Sequence, residues 1–165
     1  MRQPRGFTLV ELVVVLIVIG VLSVVAIPRL RGVDAFNTQG FTDRVMSGLR
    51  YAQKQAIAKR RNVCVVFSGT TITFTYAASA GVAVNCSLSL TGPAGQTAFS
   101  IAPEKSGLSF SASPGSFAFD AQGRPITSSS TGVVGAALTG VQTITVTGDG
   151  SRTFSVEPET GYVHT

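Results

Sequence analysis

Few side chains in this 165-residue sequence are of the types that carry out catalytic chemistry. The sequence contains one histidine, His164, two cysteines and no tryptophan. A single histidine nearly excludes His-based catalytic triads, His-ligated metal sites and most His acid–base chemistry. Since no spacing of Asp, Ser or Thr indicates a catalytic site either, we expect a protein that is not an enzyme and that holds neither a cofactor nor a metal ion.

One carboxylate, Glu11, lies inside an apolar run from Phe7 to Ile27, whose only other polar side chains are Thr8 and Ser23. This length is close to the ~20 residues that a helix needs to cross a bilayer. The Val- and Ile-rich run would favour a strand in water, but a bilayer requires internal backbone hydrogen bonds and therefore a helix. An acid within such a span costs about 2.5–3.5 kcal/mol and usually marks function. The less favoured alternative is an acid tolerated near the lipid headgroups.

A secretory signal peptide is the competing interpretation of the apolar run. Signal peptides have an apolar core of about 7–15 residues, followed by a cleavage site of small residues. Here the apolar core is longer, and the segment Pro28-Arg29-Leu30 follows it. A plain secretory signal peptide is therefore the less favoured interpretation.

The segment from Gly6 to Glu11 reads Gly-Phe-Thr-Leu-Val-Glu, and it follows a short basic leader. This segment, the apolar run and the proline after it resemble the N-terminus of type IV prepilins and type II secretion pseudopilins. The resemblance implies that residues 1–6 are a leader peptide, cleaved between Gly6 and Phe7 by a prepilin peptidase, and that Phe7 becomes N-methylated. It also implies that residues 7–30 form a single-pass inner-membrane and assembly helix with the head in the periplasm.

The resemblance assigns a role to Glu11 in assembly. When apolar helices leave the bilayer and stack in a fibre, a buried carboxylate needs a partner. In this family the partner is thought to be the new α-amino group of Phe7, on the same or a neighbouring subunit. Pro28 lacks an N–H donor, and it either ends the span or sets a bend in the helix.

A second, amphipathic helix is predicted from about Thr38 to Lys59, within residues 31–61 and after a break at Gly32. Its apolar residues recur at steps of three and four, which places them on one helical face: Phe41, Val45, Leu49, Ala52 and Ala56. Stacked with a bend, the two helical segments would be about 75–80 Å long. The basic run Lys59–Arg61 either binds phosphate or complements the helix dipole, and we favour the dipole.

Residues 62–165 are predicted to form a β-rich head. Val63–Phe67 and Thr71–Tyr76 should form a hairpin. Further short strands are expected around Ala98–Ile101, Leu108–Ser111, Phe117–Phe119, Val141–Val146, Thr153–Val156 and Gly161–Val163, with a surface loop at Ser128–Gly132. A helix followed only by strands predicts an α+β fold, in which a long N-terminal transmembrane and amphipathic helix packs on an antiparallel β-sheet head, as in pilins.

The two cysteines, Cys64 and Cys86, flank a long loop at residues 77–85. In an oxidising periplasm they should form a disulfide, whose loop closure contributes roughly 3 kcal/mol. Two buried free thiols are the alternative. Neither cysteine has a histidine or further cysteines nearby in the sequence to suggest nucleophilic or metal chemistry.

The net charge of +5 is unevenly distributed. Residues 1–61 contain ten basic and three acidic residues, whereas residues 62–165 contain three basic and five acidic ones. The chain therefore combines a +7 N-terminal third with a −2 head, which argues against a uniformly basic nucleic-acid-binding surface.

Three segments resemble the GspH/FimT group of minor pilins, and within it the minor pilin of mannose-sensitive haemagglutinin pili: Leu49–Val65, Phe117–Pro125 and Gly161–Val163. The resemblance implies a structural subunit of a type IV pilus or type II secretion pseudopilus, in its priming or tip complex. Its partners would be inner-membrane lipid, prepilin peptidase and other major and minor pilins or pseudopilins.

A pilus-tip subunit that binds DNA or a surface is the alternative function. Some FimT-like proteins bind DNA through a Gly-Arg-x-Arg motif. Here Ile126 replaces the second arginine, which leaves Arg124 and Arg152 for such a contact. A β-turn at Gly123-Arg124-Pro125 with an exposed arginine is the favoured interpretation, so DNA is not the favoured partner.

Overall fold

The computed structural model describes residues 7–80, 85–113, 115–128 and 134–165, without the side chains of residues 25–35, 111–113 and 134. Gly6 and residues 129–132 of the predicted surface loop thus lie outside the described residues, as does the side chain of Pro28.

One helix, α1, runs from Leu9 to Lys59. Its 51 residues correspond to a length of about 77 Å at 1.5 Å per residue. The helix continues through Gly32, so the predicted break at that residue is wrong. A glycine inside a helix costs about 1 kcal/mol, which is too little to interrupt a cooperative helix with strong turns on both sides.

The C-terminal end of α1 is sharply defined. Arg60 adopts the left-handed conformation with φ 51°, and its backbone N–H donates to the carbonyls of Ala56 and Ile57. Such a residue commonly ends helices because it turns the chain while satisfying carbonyls of the last turn. This end agrees with the predicted boundary at Lys59.

Short strands follow α1 within the described part of the head. In chain order they are β1 (Val63–Ser68), β2 (Thr71–Ala77), β3 (Cys86–Ser89), β4 (Ser100–Ile101), β5 (Ser109–Ser113), β6 (Phe117–Phe119), β7 (Pro125–Ser128), β8 (Val134–Ala137), β9 (Gln142–Gly148), β10 (Gly150–Val156) and β11 (Val163–His164). They form two antiparallel sheets. The first has the order β3-β2-β1-β6-β7-β8, with β4 also paired to β2, and the second has the order β11-β10-β9-β5.

The predicted hairpin is confirmed, because β1 pairs with β2 from Val63 opposite Tyr76 to Ser68 opposite Thr71. The sequence reasoning missed β3, β7 and β8. These strands contain serine, proline, glycine or alanine, all of which have low intrinsic preference for strands. Their position is set by pairing with a neighbouring strand in the sheet, which local sequence patterns do not reveal.

The predicted apolar stripe of α1 forms the centre of the core. Its five members, from Phe41 to Ala56, are all at most 3% exposed. α1 contacts β1, β4 and β6 of the first sheet and β9, β10 and β11 of the second. Gly48 lets α1 approach β4 closely, since a Cβ at this position would lie 2.3 Å from Ile101 Cδ1. The α+β fold with a long N-terminal helix packed on antiparallel strands is confirmed.

Candidate functional site

The start of α1 is organised by Thr8 and Glu11. Phe7 and Thr8 precede the helix, and the Thr8 hydroxyl accepts a hydrogen bond of 3.2 Å from the Glu11 backbone N–H. Threonine followed three residues later by glutamate is the sequence signature of a capping box. Glu11 therefore lies in the first turn, where the positive end of the helix dipole favours a carboxylate.

The first part of α1 has no partner within the described structure of the head. Every large hydrophobic side chain from Phe7 to Val24 is exposed, between 44% at Val13 and 79% at Phe7. Ser23 directs its hydroxyl to the Ile19 carbonyl at 2.7 Å, so this polar group is satisfied inside the helix. A helix that is apolar on all sides is stable only where apolar surroundings bury all of its sides.

Within the described residues, no helix is both long enough and apolar enough to span a membrane.

Cys64 and Cys86 form a disulfide with an S–S distance of 2.03 Å, so the predicted pairing is confirmed and the alternative of free thiols is wrong. Cys64 is buried in β1, and Cys86 begins β3. Because β2 lies between these strands, the bond ties the edge strand to the inner part of the sheet. Among the residues that the structure describes, no three His, Cys, Asp or Glu side chains are placed to hold a metal ion.

Arg124 lies in a tight turn between β6 and β7. Asp120 Oδ1 accepts hydrogen bonds from the backbone N–H groups of Gln122 at 2.9 Å and Arg124 at 2.8 Å. Asp120 Oδ2 pairs with the Arg124 guanidinium, 2.9 Å from Nη2 and 3.0 Å from Nε. The predicted turn is present and Arg124 is half exposed, but Asp120 compensates its charge.

The other predicted cation, Arg152, is separated from this turn in the fold. Arg152 is exposed on β10, opposite Val146 of β9 in the second sheet, whereas the Arg124 turn belongs to the first. The structure does not assign the two arginines to a common strand pair or turn.

The basic residues at the end of α1 interact with the head. The Lys59 ammonium lies 4.9 Å from the centroid of the Tyr76 ring, and Arg61 Nη1 donates to the Ala78 carbonyl at 2.7 Å. Arg60 is the left-handed cap. These contacts favour the structural role of the basic run at a helix C-terminus over a phosphate-binding role.

One residue that the sequence reasoning missed, Gln53, connects α1 to two turns of the head. Its Nε2 donates to the Gly123 carbonyl at 3.0 Å and to the Thr160 carbonyl at 2.8 Å. Gly161 has φ +68°, and a Cβ there would lie 2.1 Å from the Gly123 carbonyl oxygen. The glycines Gly123 and Gly161 were the sequence signal that could have indicated this junction. A glycine at a close contact between two turns cannot be replaced without a clash.

Two family descriptions match the chain. The prokaryotic N-terminal methylation motif covers residues 1–27, and the type II transport protein GspH covers residues 42–158. No curated protein matches the chain.

Two crystal structures of the type IV minor pilin FimU from Pseudomonas aeruginosa are similar in fold. The first has a TM-score of 0.52 and 14% identity over 76% of this chain and 85% of that chain. The second has a TM-score of 0.50 and 15% identity over 76% of this chain and 90% of that chain. Because the GspH match covers most of the sequence, the chain belongs to the GspH family, and it is a minor pilin or pseudopilin of the type IV pilus or type II secretion kind.

Proposed function

We propose that this chain is a minor subunit that joins the priming or tip complex of a pilus or pseudopilus. In this proposal prepilin peptidase cleaves the chain between Gly6 and Phe7, and residues 7–30 anchor it in the inner membrane. The observation that carries the proposal is the contrast along α1, whose first part is apolar and uncovered while its last part is embedded in the head.

The start of α1 supports the proposed cleavage. Two residues, Phe7 and Thr8, lie between the proposed scissile bond and the start of the helix at Leu9, and Phe7 is 79% exposed. A peptidase can bind an extended segment there without unwinding the helix. Thr8 and Glu11 stay on the mature chain, so the helix cap would survive cleavage.

The same geometry supports a role for Glu11 in assembly. The positive end of a helix dipole stabilises a carboxylate and destabilises a nearby ammonium group. A new α-amino group on Phe7 would lie at this positive end and would therefore need an anionic partner. Glu11 of the same or a neighbouring subunit supplies that charge, and the pair permits burial of both groups in a fibre core.

Pro28 is the proposed point of bending. α1 is helical through this position, but proline has no N–H to donate to the carbonyl four residues earlier. The helix therefore has one backbone hydrogen bond fewer at the boundary between its apolar part and its packed part. Bending there would let the apolar part adjust to neighbouring helices while the head stays intact.

Processing is tested by expressing the full chain with and without prepilin peptidase. Gly6→Ala should leave the longer precursor, whereas Gln3→Ala, in the same leader, should be cleaved normally. Intact mass of the product identifies both the cleaved bond and methylation of Phe7. Cleavage at another bond, or normal processing of Gly6→Ala, would contradict the proposal.

Assembly is tested with Glu11→Ala, using Ser23→Ala as the matched control in the same apolar run. Glu11→Ala should insert into the membrane and be cleaved, but its amount in sheared fibre fractions should fall about tenfold or more, as expected for an unpaired buried charge on the partner side. An epitope tag on the head should label one end of each fibre. Normal incorporation of Glu11→Ala would remove the role of this carboxylate, and labelling along the whole fibre would remove the tip assignment.

A further inference from the structure

The C-terminal strand β11 is attached to the second sheet by very few backbone contacts. It consists of Val163 and His164, which lie opposite Val156 and Ser155 of β10. Two-residue pairing at a sheet edge is weak, because most of the backbone groups of an edge strand lack a ladder partner. The side chains around β11 must therefore contribute to its attachment.

The imidazole of His164, the only histidine of the chain, lies between two oxygen atoms that can only accept hydrogen bonds. Its Nε2 is 2.8 Å from Oε1 of Glu157, and its Nδ1 is 3.3 Å from the backbone oxygen of Thr165. A neutral imidazole carries one N–H, so either tautomer would direct a nitrogen lone pair at one of these oxygens. Only the doubly protonated ring can donate to both.

Two further groups lie near the ring: an aromatic side chain, which suits a cation, and an arginine, which is itself a cation. The Tyr162 ring stacks on the imidazole with centroids 5.4 Å apart and an interplanar angle of 15°. From α1, Arg50 Nη2 donates to the Val163 carbonyl at 2.8 Å, so its guanidinium binds the strand beside the ring. Among the described residues, the groups that contact the His164 ring are thus the Glu157 carboxylate, the Thr165 oxygen and the Tyr162 ring, while the Arg50 guanidinium contacts the preceding residue, Val163.

We propose that His164 is a proton-operated clasp, which fastens β11 to β10 and to α1 when its ring is doubly protonated and loosens the strand when one proton leaves. The ring is about one-third exposed, so it exchanges protons with solvent without unfolding of the head. The Arg50 bond to Val163 extends the effect to the contact between α1 and the second sheet. This inference does not depend on the proposed cleavage or assembly.

The direction of the pH effect follows from the same contacts. The hydrogen bond to Glu157, with a further contribution from the Thr165 oxygen, raises the pKa of His164 above its ordinary value. The clasp is therefore closed on the acidic side of the titration of His164 and opens as pH rises through that pKa.

The experiment uses the full chain in detergent micelles, labelled with ¹⁵N-histidine. Because the sequence contains one histidine, the spectrum has one backbone amide and two ring nitrogens, all from His164. A titration from about pH 5 to about pH 9 covers the range in which histidine changes charge. The ring signals give the pKa, and hydrogen exchange of the amide, corrected for its intrinsic pH dependence, gives the protection of β11.

We expect a pKa above the usual 6.5 or so and a loss of amide protection of about two- to fivefold through the titration, as expected for an ion pair whose side chains are more than one-third exposed. Glu157→Gln should lower the pKa and reduce the protection at acidic pH. Glu159→Gln, which removes an exposed carboxylate from the neighbouring turn, is the matched control and should change both much less. The proposal is overturned by a pKa at or below the ordinary value, by protection that stays constant while the ring titrates, or by equal effects of the two substitutions.

Discussion

The two parts of α1 share one continuous backbone but have opposite surroundings. From Leu9 to Val24 its large apolar side chains point in all directions and are exposed. From Phe41 to Ala56 its apolar side chains form one stripe, which is buried against both sheets. The width of the apolar surface indicates how many sides of a helix must be covered. One stripe requires one partner, here the head of the same chain, whereas an all-round apolar surface requires surroundings that the head does not provide.

The test with the largest expected effect replaces one leucine by alanine in each part of α1. Leu49 is fully buried and Leu16 is 61% exposed. Leu49→Ala should lower the free energy of unfolding of the head by about 2–5 kcal/mol, because it leaves a cavity in the core. Leu16→Ala should change it by less than about 0.5 kcal/mol.

Urea unfolding in detergent, followed by near-ultraviolet circular dichroism, measures this difference. All three tyrosines lie at residue 51 or later, so their signal reports on the head. If both substitutions lowered the unfolding midpoint equally, the two parts of α1 would form one cooperative unit and the comparison would be wrong.

The disulfide should affect the head and leave the first part of α1 unchanged. Replacing Cys64 and Cys86, which are 22 residues apart, by alanine should lower head stability by about 3 kcal/mol in the loop-closure model. A reducing agent should produce a similar loss in the unaltered chain and none in the double variant. Hydrogen exchange of amides in residues 9–24 should be the same in the unaltered chain and in the double variant. Faster exchange there in the double variant would contradict the independence of the first part of α1 from the head.

Gln53 tests whether the packed part of α1 is held by specific polar contacts as well as by its stripe. Gln53→Ala leaves the carbonyls of Gly123 and Thr160 without this donor and should cost about 1–3 kcal/mol. Gln39→Ala is the matched control on the same helix, because Gln39 is exposed and its side chain makes a long contact of 3.5 Å to Asp43. The same urea unfolding experiment distinguishes them, and equal losses would show that the Gln53 contacts do not stabilise the junction.

The smallest expected effect is the pH dependence from His164. Because contacts with Glu157 and Thr165 raise its pKa in the folded state, its contribution to stability is fully present below the unfolded pKa. It is lost as pH rises through the folded pKa. The urea midpoint of the unaltered chain should fall between about pH 6 and pH 8.5, and His164→Asn should flatten this dependence. If the urea midpoint rose over this pH range in the unaltered chain but not in His164→Asn, the sign assigned to the stability contribution of His164 would be wrong.

Local patterns predicted the parts of the fold that depend on local periodicity. The helical stripe, the end of α1 at Lys59 and the first hairpin follow from neighbouring residues, and all three are present. The edge strand Cys86–Ser89 and the strand Pro125–Ser128 were missed, because their conformation depends on pairing with partners elsewhere in the chain. The predicted Gly32 break failed for a related reason, since one weak helix former does not outweigh the cooperative turns around it.

The candidate site divides in the same way. The sequence alone indicated the leader segment, Glu11 and the apolar run, because their residue types and spacing lie within a single stretch of chain. It also indicated that Cys64 and Cys86 should pair, and that Gly123-Arg124-Pro125 forms a turn. The compensation of Arg124 by Asp120 is also local, but the turn geometry was needed to show that the carboxylate faces the guanidinium.

By itself, the sequence determined which part of α1 binds the head and which part remains apolar on all sides, because both properties are periodic along one helix. Only the tertiary structure decided which surfaces of the head meet. It joined Gln53 to two turns that lie 70 and 107 residues further along the chain. It also brought Arg50 of α1 and the Glu157 carboxylate to β11, the strand that contains His164. Such contacts depend on how strands from distant parts of the chain pair into sheets, and no local pattern of residues encodes that pairing.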